Sequence, residues 1–119
     1  MPGVATGRIL HVNLTTGTLE DEYPSESFFR TYLGGSAMGL YYILKGMQPG
    51  TDGLDPANVM TWMDSLLTGT PIAGQSRITI NARSPLTDGV GDSQGGGFLP
   101  AELRFAGFTG IVLRGRATE

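Results

Sequence analysis

Arg77 and Arg83 stand six residues apart in the alternating segment RITINAR, and Gly95-Gly96-Gly97 come later, just before a helix-like run. A guanidinium pairs a phosphate or another dianion through two parallel hydrogen bonds. Consecutive glycines let backbone N–H groups reach a ligand where any Cβ would collide, and a helix start adds unpaired donors and a partial positive charge. Together these residues describe a site for something large, flat and anionic. Two plainer readings compete: the glycines can be a bulged turn that lets the next helix pack, and the arginines can be a solvated strand edge. Spacing excludes two familiar phosphate loops. Gly89-Val90-Gly91 would need a glycine where Gln94 stands to form a dinucleotide fingerprint, and no Lys-Ser or Lys-Thr follows Gly97 as a Walker loop requires.

The rest of the chain is poor in reactive groups. Cys is absent, so the chain offers no thiolate nucleophile, no disulfide and no cysteine ligand for zinc or an iron–sulfur cluster. His11 is the one histidine, on the less apolar face of the first strand with no metal-ligand spacing around it, and is expected to be a surface or hairpin residue. Asp88 and Asp92 bracket a glycine-rich stretch, where Asp commonly forms turns, and make only a weak carboxylate pair. Many Ser and Thr have no adjacent base. These residues support a binding platform rather than catalysis by this chain alone.

The elements that must position the platform follow from periodicity. Arg8 to Leu14 reads as a strand with Leu10, Val12 and Leu14 on one face, Thr15-Thr16-Gly17 as a tight loop, and Thr18 to Tyr23 as the returning strand. That register puts Leu19 and Tyr23 inward and Glu20 and Glu22 outward. Ser25 is placed to cap a short helix through Phe28, Phe29, Tyr32 and Leu33, ended by Gly34-Gly35. Ser36 is expected to cap a second helix, in which Ala37, Leu40, Tyr41, Leu44 and Met47 recur at helical spacing; Tyr41-Tyr42 and Phe28-Phe29 count as packing residues. Gln48 to Asn58 is a loop within one domain, and Val59 to Met63 a short buried strand. In Arg77 to Arg83, Ile78, Ile80 and Ala82 are expected inward and Arg77, Thr79, Asn81 and Arg83 outward. Leu99 to Ala106 makes a short helix with Pro100 in its first turn and Gly107 as its stop, and Thr109 to Arg114 a last strand. Strands outnumber helices and are mostly hairpin-linked, which predicts an α+β fold of mixed, largely antiparallel sheet with short helices.

At 119 residues the chain fits one domain, 1–119, and its net charge of −3 gives no basic field for a nucleic acid backbone. The start lacks the charged and apolar regions of a secretion signal, and no apolar run approaches the roughly 18 residues of a membrane span, so a soluble cytoplasmic protein with no membrane partner is the expectation. The 19 glycines mark tight turns. The last strand is followed by no capping element, as expected of a piece of a larger polypeptide.

Several motifs then line up. GRILHVNLTTGTLEDE, YLGG before a helix, LTGTPIAGQSR, ARSPLT and GGGFLPAELRFAGFTGIVLRG follow one another from Gly7 to Gly115. Each alone is a turn or a capped helix; in this order and spacing they resemble the N-terminal domain of the tungsten-containing aldehyde ferredoxin oxidoreductase family. The resemblance implies a β-sheet base on which a bis-molybdopterin cofactor carrying tungsten, or sometimes molybdenum, lies. Arg77 matches the family's pterin-contacting arginine, and Gln94-Gly95-Gly96-Gly97 matches the loop whose backbone contacts the cofactor. A magnesium ion bridging the two pterin phosphates is implied at the backbone carbonyl of Gln94. Many relatives carry Asn there, a change that keeps the carbonyl and alters the side chain. Asp88 and Asp92 near such a dianion would repel it unless the metal sits close or they point away.

The resemblance further implies that the whole enzyme oxidises aldehydes to carboxylic acids and passes two electrons through a [4Fe–4S] cluster to ferredoxin. The cluster's cysteines and the acid–base residues would come from later sequence, so this chain is expected to hold half a cofactor cradle and to be inactive alone. A homo-oligomer is compatible with this reading. Two alternatives are a family member with another substrate, such as an aromatic acyl-CoA reductase subunit, and a non-catalytic pterin-binding scaffold.

Overall fold

A computed structural model describes residues 6–119. Among them, in chain order, are β1 (Arg8–Asn13), β2 (Thr18–Glu22), α1 (Glu26–Tyr32), α2 (Gly35–Gly46), β3 (Met60–Asp64), β4 (Arg77–Arg83), β5 (Val90–Gly96), α3 (Phe98–Phe105) and β6 (Phe108–Arg114). The strands form one sheet in the order β2-β1-β6-β3-β4-β5. Every neighbouring pair is antiparallel except β1 with β6, which run parallel. The expected α+β class of mixed, largely antiparallel sheet and short helices is what the chain forms.

Local chemistry sets the helix ends. Ser25 accepts a hydrogen bond from the Phe28 N–H and caps α1, whose Glu26 and Arg30 pair one turn apart at 2.7 Å. Leu33 closes α1 in the left-handed region at φ 62°, and Gly34 follows at φ 97°. A Cβ on Gly34 would strike the backbone of Asp64 and Ser65, with which Gly34 makes an isolated β-bridge, so the α1–α2 corner is pinned to the end of β3. Gly34, not Ser36, is the N-cap of α2, and Ser36 lies in the helix's first turn.

The two faces of the sheet differ. Helices α1 and α2 cover one, burying Ile9, Phe29, Met38, Tyr42, Ile43, Met63 and Val112 in a single core. The other face is covered at one end by α3, which packs on β6 and β4. Several expected side-chain directions are therefore reversed. In the hairpin, Ile9 is fully buried while Leu19 and Tyr23 are exposed at 66% and 71%. Glu22 turns toward the helix layer, where its carboxylate accepts from Tyr42 at 3.0 Å and pairs with His11 at 2.7 Å. His11 is thus a partly buried partner of Glu22 and Tyr42 rather than a free surface residue. Helix α2 buries Met38, Gly39, Tyr42 and Ile43, leaving Ala37 and Leu44 outward, and on β4 it is Thr79 and Asn81 that lie buried beneath α2. The helix layer lands on the sheet face that carries Ile9, Met63 and Val112, with Gly39 of α2 set closely against Thr61 and Asn81 on the same face.

Candidate functional site

Strand β5 is the sheet's edge. Its register on β4 sets Arg77 opposite Gly96, Ile78 opposite Gly95 and Thr79 opposite Gln94. Gly97 is the N-cap of α3 at φ 111°, and its carbonyl accepts the Ser76 hydroxyl. The triple glycine is therefore the end of an edge strand running into a helix, not a free loop. Arg77, exposed, stands beside it. Arg83 shares Arg77's face but lies opposite Val90 at the far end of the ladder, roughly 20 Å away at the rise of a strand. The structure brings Arg77, Gln94, Gly95, Gly96 and Gly97 to one end of the sheet edge, with Arg77, Gln94 and Gly96 on the face that carries α2 and Gly95 on the other, and leaves Arg83 out.

The open edge has a definite polarity. Ser84 N–H donates to the Gly89 carbonyl at 2.8 Å, which makes that pair a bonded step of the ladder. Bonded and non-bonded pairs alternate in an antiparallel ladder, so Asp92, Gln94 and Gly96 fall at non-bonded steps. Their N–H and C=O groups point away from β4, while those of Ser93 and Gly95 point into it. Arg77 agrees with this phase, since its own N–H donates to Gln75 at 2.9 Å instead of crossing to Gly96.

Among the described residues nothing requires glycine at position 95. A Cβ there would meet no described atom within 4 Å, and its φ is not positive. The same open space surrounds Gly97, where the positive φ does require glycine, while at Gly96 a Cβ would come 3.4 Å from the Ser76 carbonyl. Glycine inside a strand costs about 0.5–1 kcal/mol relative to Ala. A bare main chain maintained at that cost, with no internal neighbour to accommodate, suits a ligand that approaches from outside.

The two carboxylates beside the glycines take separate roles. Asp88 sits in the β4–β5 turn at φ 59°, as a turn-former does. Asp92 lies within β5, where Ser36 Oγ and Asn81 Nδ2 donate to its carboxylate. Those two hydrogen bonds, Ser36 first, hold its carboxyl below the usual carboxylate range. On the other face, Asp64 ends β3 fully buried, with neither oxygen hydrogen-bonded among the described residues. Burial pushes its carboxyl up to about 7, partly offset by the Arg104 guanidinium of α3. Asp64, Ile78 and Gly95 form one row across the sheet. Sequence reasoning passed over Ser36, Asn81 and Asp64 as parts of a site; a charged residue closing an apolar strand was the one local signal for Asp64. Among the described residues no group of three or more His, Cys, Asp or Glu could hold a metal ion, and no helix is long and apolar enough to cross a membrane.

Comparison with known proteins gives a consistent result. The model of a family described as aldehyde ferredoxin oxidoreductase, N-terminal domain, matches residues 9–119. The tungsten-containing aldehyde ferredoxin oxidoreductase of Pyrococcus abyssi is 39% identical over 111 residues, covering 93% of this chain and 18% of the relative. That of Pyrococcus furiosus is 37% identical over 113 residues, covering 95% and 19%. An aliphatic sulfonate oxidoreductase, WOR-like subunit, of Pyrococcus furiosus is 31% identical over 114 residues, covering 93% and 18%. Among solved structures, the active site complex BamBC of benzoyl coenzyme A reductase with 1,5-dienoyl-CoA superposes at a TM-score of 0.91 with 32% identity, covering 95% of this chain and 17% of that one. The chain spans under a fifth of the length of these relatives.

Proposed function

This chain belongs to the aldehyde ferredoxin oxidoreductase N-terminal domain family, and from that premise we propose that it forms one wall of the pterin cofactor site of a tungsten- or molybdenum-dependent oxidoreductase. The observation that carries this reading is the strand glycine at position 95, which no packing among the described residues calls for. Its neighbours fit a doubly phosphorylated, planar group. Arg77 offers a charge-assisted fork to a phosphate. Gly96 presents its N–H on the open edge, and Gly97 starts a helix whose first amides favour an anion. Gln94 turns its backbone carbonyl outward, where a magnesium ion accompanying the cofactor would find a hard oxygen ligand.

When bound, such a cofactor supplies two-electron chemistry at the metal, with an aldehyde going to a carboxylic acid. The chain's own residues bind and orient it. A [4Fe–4S] relay to ferredoxin would need cysteines from the rest of a longer polypeptide, since this chain has none. A second reading, reduction of an aromatic acyl-CoA, is favoured by the closeness of fold to the benzoyl-CoA reductase complex. The cradle serves either substrate, because no residue described above faces a reacting carbonyl.

The test is Gly95→Ala in the full-length enzyme. The melting temperature is expected to hold or rise, while tungsten plus molybdenum per protein, measured by mass spectrometry, falls about tenfold. Arg77→Ala is expected to lower the same occupancy with the fold intact, by loss of a contact worth about 1.5–3 kcal/mol. Full metal content and pterin fluorescence in both variants would overturn the reading.

A further inference from the structure

A glycine strand at an open edge is the least constrained backbone in a sheet, since glycine surrenders the most conformational entropy on ordering. Something must hold this one in shape ahead of a ligand. Strand β5 has β4 on one side only, so the ladder alone supplies half the pairing of an interior strand. The additional restraint converges on Asp92. Asn81, 1% exposed on β4, directs its Nδ2 to both the Gly91 carbonyl and the Asp92 carboxylate, each at 3.1 Å. Ser36, in the first turn of α2, donates its hydroxyl to the same carboxylate oxygen.

We propose that Asp92 is a positioning residue: a clasp that ties the glycine strand to β4 and to the start of α2, so that the cofactor edge is ordered before the cofactor arrives. This rests on the cofactor reading above and names a residue that acts through the strand rather than on the ligand. Asp92 has the geometry for it. One carboxylate oxygen receives two donors from two other elements, two residues before Gln94, and nothing else links α2 to β5 by a hydrogen bond among the described residues. Its charge has a second effect. A helix start attracts anions, and the carboxylate already sits at the start of α2, about 13 Å along the strand from Gly96. An incoming phosphate is repelled there and left with Arg77 and the Gly96–Gly97 corner. The glycine edge is thus made selective for one placement of the ligand.

The experiment uses the full-length enzyme, freed of cofactor and then loaded, with Asp92→Ala, Asp92→Asn, Ser36→Ala and the Asp92→Ala/Ser36→Ala pair. Hydrogen exchange followed by mass spectrometry reads the Ser93 and Gly95 amides, which face β4. In cofactor-free protein Asp92→Ala is expected to speed their exchange about tenfold at an unchanged circular dichroism spectrum. Ser36→Ala should speed it less, and the double variant no more than Asp92→Ala alone, because both remove one linkage. If Asp92→Ala fails to fold, Asp92→Asn and Ser36→Ala carry the same test. In loaded protein the variants should lose tungsten faster on dialysis. Unchanged exchange at Ser93 and Gly95 overturns the clasp, whatever the metal content. Faster exchange in the variants of a protein whose wild type never takes up tungsten, molybdenum or pterin instead overturns the cofactor reading, and with it the role in retention.

Discussion

Asp64 carries a cost that the rest of the chain must absorb. Its carboxyl is fully buried, and its pKa is raised from 3.8 to about 7 by burial, with Arg104 opposing. For an acid shifted upward, the folded state holds a proton that the unfolded state has released. Stability therefore falls as pH rises from about 4 to about 7 and stays reduced above that, by about 1.4 kcal/mol for every tenfold gain in proton affinity on folding. Asp64→Asn keeps the shape and removes the ionisation. We expect its melting temperature to match the wild type near pH 4 and to exceed it by several degrees near pH 8, as read by calorimetry across that range. A constant difference at all pH values would show that Asp64 stays neutral or that solvent reaches it. Tyr42 shows the same physics with a partner present: burial and then the Glu22 carboxylate raise its phenol, and the hydrogen bond to Glu22 satisfies it.

Helix α2 rests on Gly39, where a Cβ would come within 2.6 Å of Thr61 Oγ1 and 2.7 Å of Asn81 Oδ1. Neither oxygen has another hydrogen-bond partner among the described residues, so the Gly39 Cα–H groups face them directly. Gly39→Ala should destabilise the protein by about 1–3 kcal/mol despite alanine's better helix propensity, with a lower urea midpoint and an unchanged m-value. The same contact explains what periodicity could and could not tell. Ser25, the Gly34-Gly35 stop, Pro100 and Gly107 act within one turn of chain, and the helices they bound were legible. Arg77 and the glycines end up side by side because β5, a strand that no hydrophobic alternation announces, is joined to β4 by a short turn. The direction of a face depends on what lands on it. Leu10, Val12 and Leu19 alternate, and Leu44 recurs at helical spacing, as core residues do, but α2 lands on the opposite side of the sheet and presents its own opposite side. Asp92 was unreadable as a clasp because Ser36 is 56 positions away.

The sheet's second face is apolar well beyond the reach of α3. Leu10, Val12, Leu19, Met60, Trp62, Ile111 and Leu113 share it by register, with Met60 exposed at 40% on β3 and Leu19 at 66% on the edge strand β2. A sheet buries a hydrophobic face against a second layer, and an uncovered patch of this kind promotes association. The 119-residue chain produced alone is expected to bind an apolar dye such as anilinonaphthalene sulfonate and to self-associate on gel filtration. Leu19→Lys with Met60→Lys should reduce both without lowering the melting temperature. Dye binding at the level of an ordinary folded domain would mean that the face closes on itself.

Strand β6, the last of the six described strands in chain order, lies between β1 and β3 and is the sole strand that joins the β1–β2 pair to the β3–β4–β5 ladder among the described residues. During synthesis at about 5–20 residues per second, the first hairpin therefore leaves the ribosome several seconds before its neighbour exists. Through that interval Ile9 and its strand must wait with a vacant side, exposed to any other chain that can pair with it. Translation that stalls before Phe108 would leave two strand groups held together by the helix layer alone, so the sheet becomes continuous only once β6 emerges.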